Sequence, residues 1–224
     1  MFDDRSFIGK VFSKSLYKTE KLKEKFNQIF GKITFLDLHH ATGKKLNIAV
    51  FDVLRRKTII LNYQNAPDTL ISDAILQSIS APMYFPRVKW RREVRADGGT
   101  GTKNSMLDDV MDEIIFDNDG SGSVLSIGCG RTKRKEDGFT DAEIKDALND
   151  GKLQAVEFVL SAGREEMVRR QESRFKKLLE KKKIRGIRWN IELSEELNNM
   201  SKTDNFAALV ARVDRPGLSG VIIK

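Results

Sequence analysis

Two short stretches constrain this chain more than anything else in it. They are Ile79-Ser80-Ala81-Pro82-Met83-Tyr84-Phe85-Pro86 and, soon after, Val94-Arg95-Ala96-Asp97-Gly98-Gly99. The first closes a helical run, Leu70 to Ser78, in a turn bracketed by prolines. Proline disfavours helical geometry in the residue before it, so the helix is expected to stop at Ser80-Ala81-Pro82. The second is a short strand-like segment that delivers one acid onto two glycines. Asp before Gly-Gly is a common turn in its own right. At a strand end, with glycines that let other backbone come close, the same acid can be held in a fixed direction beside a nucleophile. On the residues alone, Asp97 reads either as a turn former or as a catalytic carboxylate.

Taken together, Ser78-Ile79-Ser80-Ala81-Pro82-Met83-Tyr84-Phe85-Pro86 resembles the S-A-A-P-T-Y-F-P segment of patatin-like phospholipases. Asp97-Gly98-Gly99 resembles the Asp-Gly-Gly/Ala motif of the same family, at the expected distance. The resemblance implies an α/β chain with a three-layer α/β/α fold and hydrolysis of lipid esters by a Ser-Asp dyad. Asp97 would be the carboxylate of that dyad, and neither a cofactor nor a metal is expected. The family also carries a Gly-rich oxyanion loop and a G-x-S-x-G nucleophile elbow upstream. Neither pattern occurs in these 224 residues. The expected architecture is therefore an incomplete three-layer α/β/α patatin-like fold with a mixed central sheet. Residues 1–210 would be the C-terminal portion of a patatin-like phospholipase domain, with the resemblance running over residues 15–210, and residues 211–224 would be a tail.

Composition closes off several classes. A length of 224 residues suits one domain, or one with an appendage. Forty per cent apolar and 32% charged residues make an ordinary soluble composition. There is no uncharged apolar run of about 18 residues, so no membrane span is expected. The start, Met1-Phe2-Asp3-Asp4-Arg5, lacks the basic and apolar regions of a signal peptide. The single cysteine, Cys129, cannot form an internal disulfide, and two histidines argue against a zinc framework. A cytoplasmic protein, peripheral at membranes at most, is expected. The net charge of +8 is concentrated: Arg164 to Arg188 holds eleven Lys/Arg against four Asp/Glu, a net of +7. Such a segment is either a solvated helix face or an attractor of anionic lipid or nucleic acid.

In chain order, Leu22, Phe26, Ile29 and Phe30 recur at helical spacing, with Thr19 as a cap and Gly31 as a stop. The stretch from Phe30 to Leu38 resembles the family's "F-G" before a strand, and His39 and His40 are placed in the turn before Thr42-Gly43. Asn47 to Phe51 and Lys57 to Tyr63 read as buried strands. Arg87 to Glu93 reads as an exposed basic connector. Its Trp90, next to Lys89, Arg91 and Arg92, either packs locally or sits at a lipid interface. Met106 to Phe116 reads as a helix with Leu107, Val110, Met111 and Ile114 inward. Val124 to Gly130 reads as a buried strand, resembling the family's L-S-L-G-T-G segment. Ser126 is poorly suited to be a nucleophile, because Val124 stands where an elbow needs its first glycine. Cys129 reads as a small packing residue. Thr140-Asp141-Ala142-Glu143 reads as a capping box, Gly151 to about Lys183 as a helix that Gly163 could break, and Ile187 to Leu193 as a strand. Asn199 to Phe206 fits the family's D-D-T-S-x-x-N turn.

Two functional readings follow. One is a patatin-like lipid acyl hydrolase carrying Asp97, Gly98 and Gly99, as a truncated chain whose nucleophile half lies elsewhere, on another polypeptide or upstream. Its substrate would be a lipid or phospholipid, and the chain alone would be inactive. The other is a non-catalytic patatin-like relative that binds anionic membrane or a protein partner through the basic 164–188 helix. Nucleic-acid binding rests on charge alone.

Overall fold

The structure, a computed structural model, describes residues 19–82, 84–101, 103, 105–117, 122–128, 131–132, 141, 152–193 and 220–223. It divides into two compact units, residues 1–106 and 107–224, each taken by itself below. The expectations for Cys129, Gly130, the Thr140–Glu143 capping box and the Asn199–Phe206 turn lie outside the described residues, Asp141 excepted.

The first described element of this unit is α1 (Glu20–Phe30), which ends at Gly31 with φ 59. That positive φ is where glycine is favoured, because it lacks a Cβ. Thr19 occupies the N-cap position, but its side chain makes no capping hydrogen bond. The segment expected to run on as a strand is instead a second helix, α2 (Phe35–Thr42). A reciprocal cap sets this outcome. The Asp37 amide donates to Thr34 Oγ1 at 3.1 Å, and the Thr34 amide donates to Asp37 Oδ2 at 3.0 Å. Two orphan donors of the first turn are thereby satisfied. His39 and His40 fall in the last helical turn rather than a loop, and the His39 ring stacks on Tyr63 with centroids 3.7 Å apart.

Four antiparallel strands follow: β1 (Ile48–Asp52), β2 (Lys57–Leu61), β3 (Val88–Trp90) and β4 (Glu93–Asp97), in the order β2-β1-β4-β3. The connector expected around Trp90 is thus a hairpin, turning at Arg91 with φ 54. Between β2 and β3 lies α3 (Ile71–Ser78), as the sequence predicts. Phe35, Val50, Leu61 and Ala74 form the core, so α2, both early strands and α3 each contribute a side chain.

The second unit holds α4 (Leu107–Asp112), which widens into a π-turn over Glu113–Asp117, then β5 (Ser123–Ile127), β6 (Arg131–Thr132), α5 (Lys152–Glu180), β7 (Arg185–Leu193) and β8 (Gly220–Ile223). Strands β5 and β6 run parallel to β7, and β8 runs antiparallel to it, so the pairing is mixed. Helices and mixed strands together give the α/β class. Four expectations change in detail. Val110 is 38% exposed, because Leu107, Met111 and Ile114 make the buried stripe and Val110 lies at its margin. In β5 only Val124 is buried while Leu125 is 72% exposed, since alternate side chains of a strand take opposite faces. Gly163 does not interrupt α5. Residues 220–223, within the expected tail, form β8, in keeping with the strand preference of Val221, Ile222 and Ile223.

Candidate active site

Asp97 is the last residue of β4, and the chain turns directly into a 3-10 turn over Gly98–Thr100. Its backbone pairs with Val50 of β1. Both its backbone and its carboxylate are held, and the glycine after it is tightly packed. Its amide donates to the carbonyl of Ser80 at 3.1 Å. Its Oδ1 accepts from the Gly99 amide at 2.5 Å. Gly98 lies so close to β1 that an added Cβ would sit 2.8 Å from the Ala49 carbonyl oxygen. The first glycine is therefore a packing requirement, and the amide of the second locks the carboxylate. Gly98 and Gly99 are both buried, while Asp97 is half-buried at the strand end.

The proline-bracketed turn is built into the same arrangement. Ser80 is fully buried and its Oγ donates to the Leu76 carbonyl at 2.6 Å, closing α3 onto the turn. Ser78 Oγ donates to the Ala49 carbonyl at 2.8 Å, on the same residue that Gly98 crowds. Both serines thus act as braces. Neither stands free as a nucleophile.

A polar network not foreseen from the sequence supports β4 from its other end. Arg95, 7% exposed, donates from Nη1 to Gln77 Oε1 at 2.9 Å and from Nε to Glu93 Oε2 at 2.9 Å. Arg55 pairs with Glu93 and, at 2.7 Å, with buried Asp52. Donation from the Arg55 guanidinium holds the Glu93 carboxyl below the usual carboxylate range, against its partial burial, and Arg95 adds to this. Burial works against ionisation of Asp52. Donation from the amides of Arg55 and Leu54 and from the Arg55 side chain outweighs it, so the Asp52 pKa is also lowered.

In the second unit Arg188 Nη1 donates to Ser126 Oγ at 2.6 Å. Arg188 is itself buried against Glu172 at 2.7 Å. Of the eleven cations between Arg164 and Arg188, five are ion-paired among the described residues: Arg169, Arg170, Arg174, Lys176 and Arg188. The segment is helical only to Glu180, and from Arg185 it is strand β7. Among the described residues no group of three His, Cys, Asp or Glu could hold a metal ion. No described helix is long and apolar enough to cross a membrane.

A helix ending before a proline-bracketed turn, a hairpin, and an acid held on two glycines follow one another in the first unit. Residues 2–110 match the Patatin-like phospholipase family model, and the proline-bracketed turn and Asp97-Gly98-Gly99 lie within that match. The chain is also similar to a protein named "Probable lipid hydrolase 463L" from Invertebrate iridescent virus 6, with 28% identity over 97 residues. That match covers 43% of this chain and 33% of the viral protein, so the chain spans about a third of that relative's length.

Proposed function

We propose that this chain supplies the carboxylate part of a lipid acyl hydrolase site, with Asp97 as the dyad acid. The observation that carries the reading is the double fixation of Asp97, by the Ser80 carbonyl and the Gly99 amide, inside the patatin-like segment. Ester hydrolysis by a dyad needs a serine that attacks the carbonyl, a carboxylate that assists the proton's removal, and amides that stabilise the oxyanion. The carboxylate is accounted for by Asp97. The G-x-S-x-G and Gly-rich patterns that would supply the other two do not occur in the 224 residues, so the serine and the oxyanion donors come from outside them. Residues 111–210 are read as continuing the same domain. The substrate class is a lipid or phospholipid ester.

The test is hydrolysis of a fluorogenic acyl ester by the purified 224-residue chain beside its Asp97→Ala variant. Neither should turn over substrate. Turnover by the chain that disappears in the variant would show that a serine within these residues acts, and would overturn the divided site.

A further inference from the structure

The end of the first sheet opposite Asp97 carries a second feature. Strands β1 and β4 are antiparallel with Asp52 opposite Arg95, and the Val53 amide donates to the Val94 carbonyl at 2.9 Å. The β1–β2 turn and the β3–β4 turn therefore project from the same sheet end. Residues 52–57 and 89–95 hold seven Lys/Arg and two Asp/Glu, a net of five positive charges. The two carboxylates, Asp52 and Glu93, are taken up by Arg55 and Arg95. Arg56, Lys57, Lys89, Arg91 and Arg92 are exposed and form no ion pair among the described residues. Between the two turns lies an open groove of about 370 Å³ lined by Arg55, Trp90, Arg91, Arg92, Glu93 and Arg95. Leu54, at the first turn, is 64% exposed.

We propose that this paired-turn end is a docking surface for anionic phospholipid membrane, in which lipid phosphate meets the Arg91/Arg92 groove while Leu54 and Trp90 enter the interface. Guanidinium groups match phosphate geometry, and an indole ring suits the headgroup level. Leu54 decides between anionic partners. An exposed aliphatic side chain amid cations gains by entering lipid and offers nothing to a nucleic acid, which would use the arginines and the indole alone. The basic stretch 164–188 is the rival surface; its cations are divided between a helix and the strand that follows, and its Lys181 and Lys183 serve as the control in the test. The groove also differs from the proposed ester site. From Glu93 to Asp97 the strand advances about 14 Å at about 3.4 Å per residue. A phospholipid's ester carbonyls lie within a few bonds of its phosphate, so one molecule does not span both places. The surface stands whether or not Asp97 is catalytic.

The test is co-sedimentation of the full 224-residue chain with phosphatidylcholine vesicles, with and without phosphatidylserine. Binding is expected only with the anionic lipid, weakening as salt screens the charges. A surface cation contributes roughly 5-fold. The double variant Lys89→Glu/Arg92→Glu should therefore bind at least about 25-fold more weakly. Leu54→Ser should weaken binding about 5-fold, while Lys181→Glu/Lys183→Glu binds as the parent does. All these side chains are exposed, and unchanged circular dichroism confirms the fold of each variant. Failure to bind anionic vesicles would overturn the proposal, as would undiminished binding by both the double variant and Leu54→Ser. So would loss only in the Lys181/Lys183 variant, or tighter Lys89- and Arg92-dependent binding to a single-stranded oligonucleotide at the same salt.

Discussion

The amide of Asp97 donates to the carbonyl of Ser80 across 3.1 Å, so the proline-bracketed turn after α3 and the acid at the end of β4 form one unit. The contact is between backbones, and it explains how two separated stretches of sequence act together. The turn fixes where β4 ends, and the end of β4 fixes where the carboxylate sits.

Gly98→Ala should disturb that unit directly. The new Cβ would meet the Ala49 carbonyl oxygen at 2.8 Å and the Ala49 Cβ at 2.9 Å, and the nearest of these is strand backbone that cannot swing aside. Overpacking of this kind costs about 1–3 kcal/mol. Thermal unfolding should fall by several degrees, at about 2–4 °C per kcal/mol for a chain of this size.

Arg95→Met should cost more. It leaves the Gln77 carboxamide, already buried with Nε2 lacking a partner among the described residues, without its guanidinium, and the Glu93 carboxylate with Arg55 alone. Breaking a buried charge pair costs about 3–5 kcal/mol. Arg95→Lys should recover only part of this, since an ammonium cannot reach Gln77 and Glu93 as a planar fork does. Urea denaturation of the three proteins at neutral pH measures the order.

Stability should also fall in acid through Glu93. Its folded pKa lies below the ordinary 4.5, so its contribution is complete above that value and is lost as pH drops through the lower, folded one. The stability difference between the parent and Glu93→Gln should be largest at neutral pH and shrink as pH falls below 4.5 through the lowered, folded value. Denaturation curves at several pH values measure it. A gap independent of pH would mean that the charge on Glu93 is not what the two arginines hold.

Some of this was legible in the sequence because the requirement was local. Gly98 must be small where two strands meet, and Pro82 must end a helix, so both leave a mark at fixed positions. The α3 helix and strands β1 and β2 followed from apolar spacing. The Arg95–Glu93–Arg55 network left no such mark. Glu93 and Arg95 share a strand face by alternation, but Arg55 is 38 positions from Glu93 and only the fold brings it there. Helix α2 was hidden because a Thr34-x-x-Asp37 cap acts over a single turn, within a run of apolar residues that reads equally well as a strand. The apolar run in β5 could not reveal that Leu125 and Ile127 face outward, since a short apolar stretch does not tell one buried face from two.

The most direct measurement is acyl-ester hydrolysis by the protein recovered from its native source, with whatever co-purifies, compared with the same preparation carrying Asp97→Asn. The substitution keeps the side chain's size and its amide contact but removes the charge. The account predicts a loss on the order of 10⁴-fold, as when the carboxylate that positions a serine site's proton acceptor is neutralised. Hydrolysis unchanged by Asp97→Asn would contradict it.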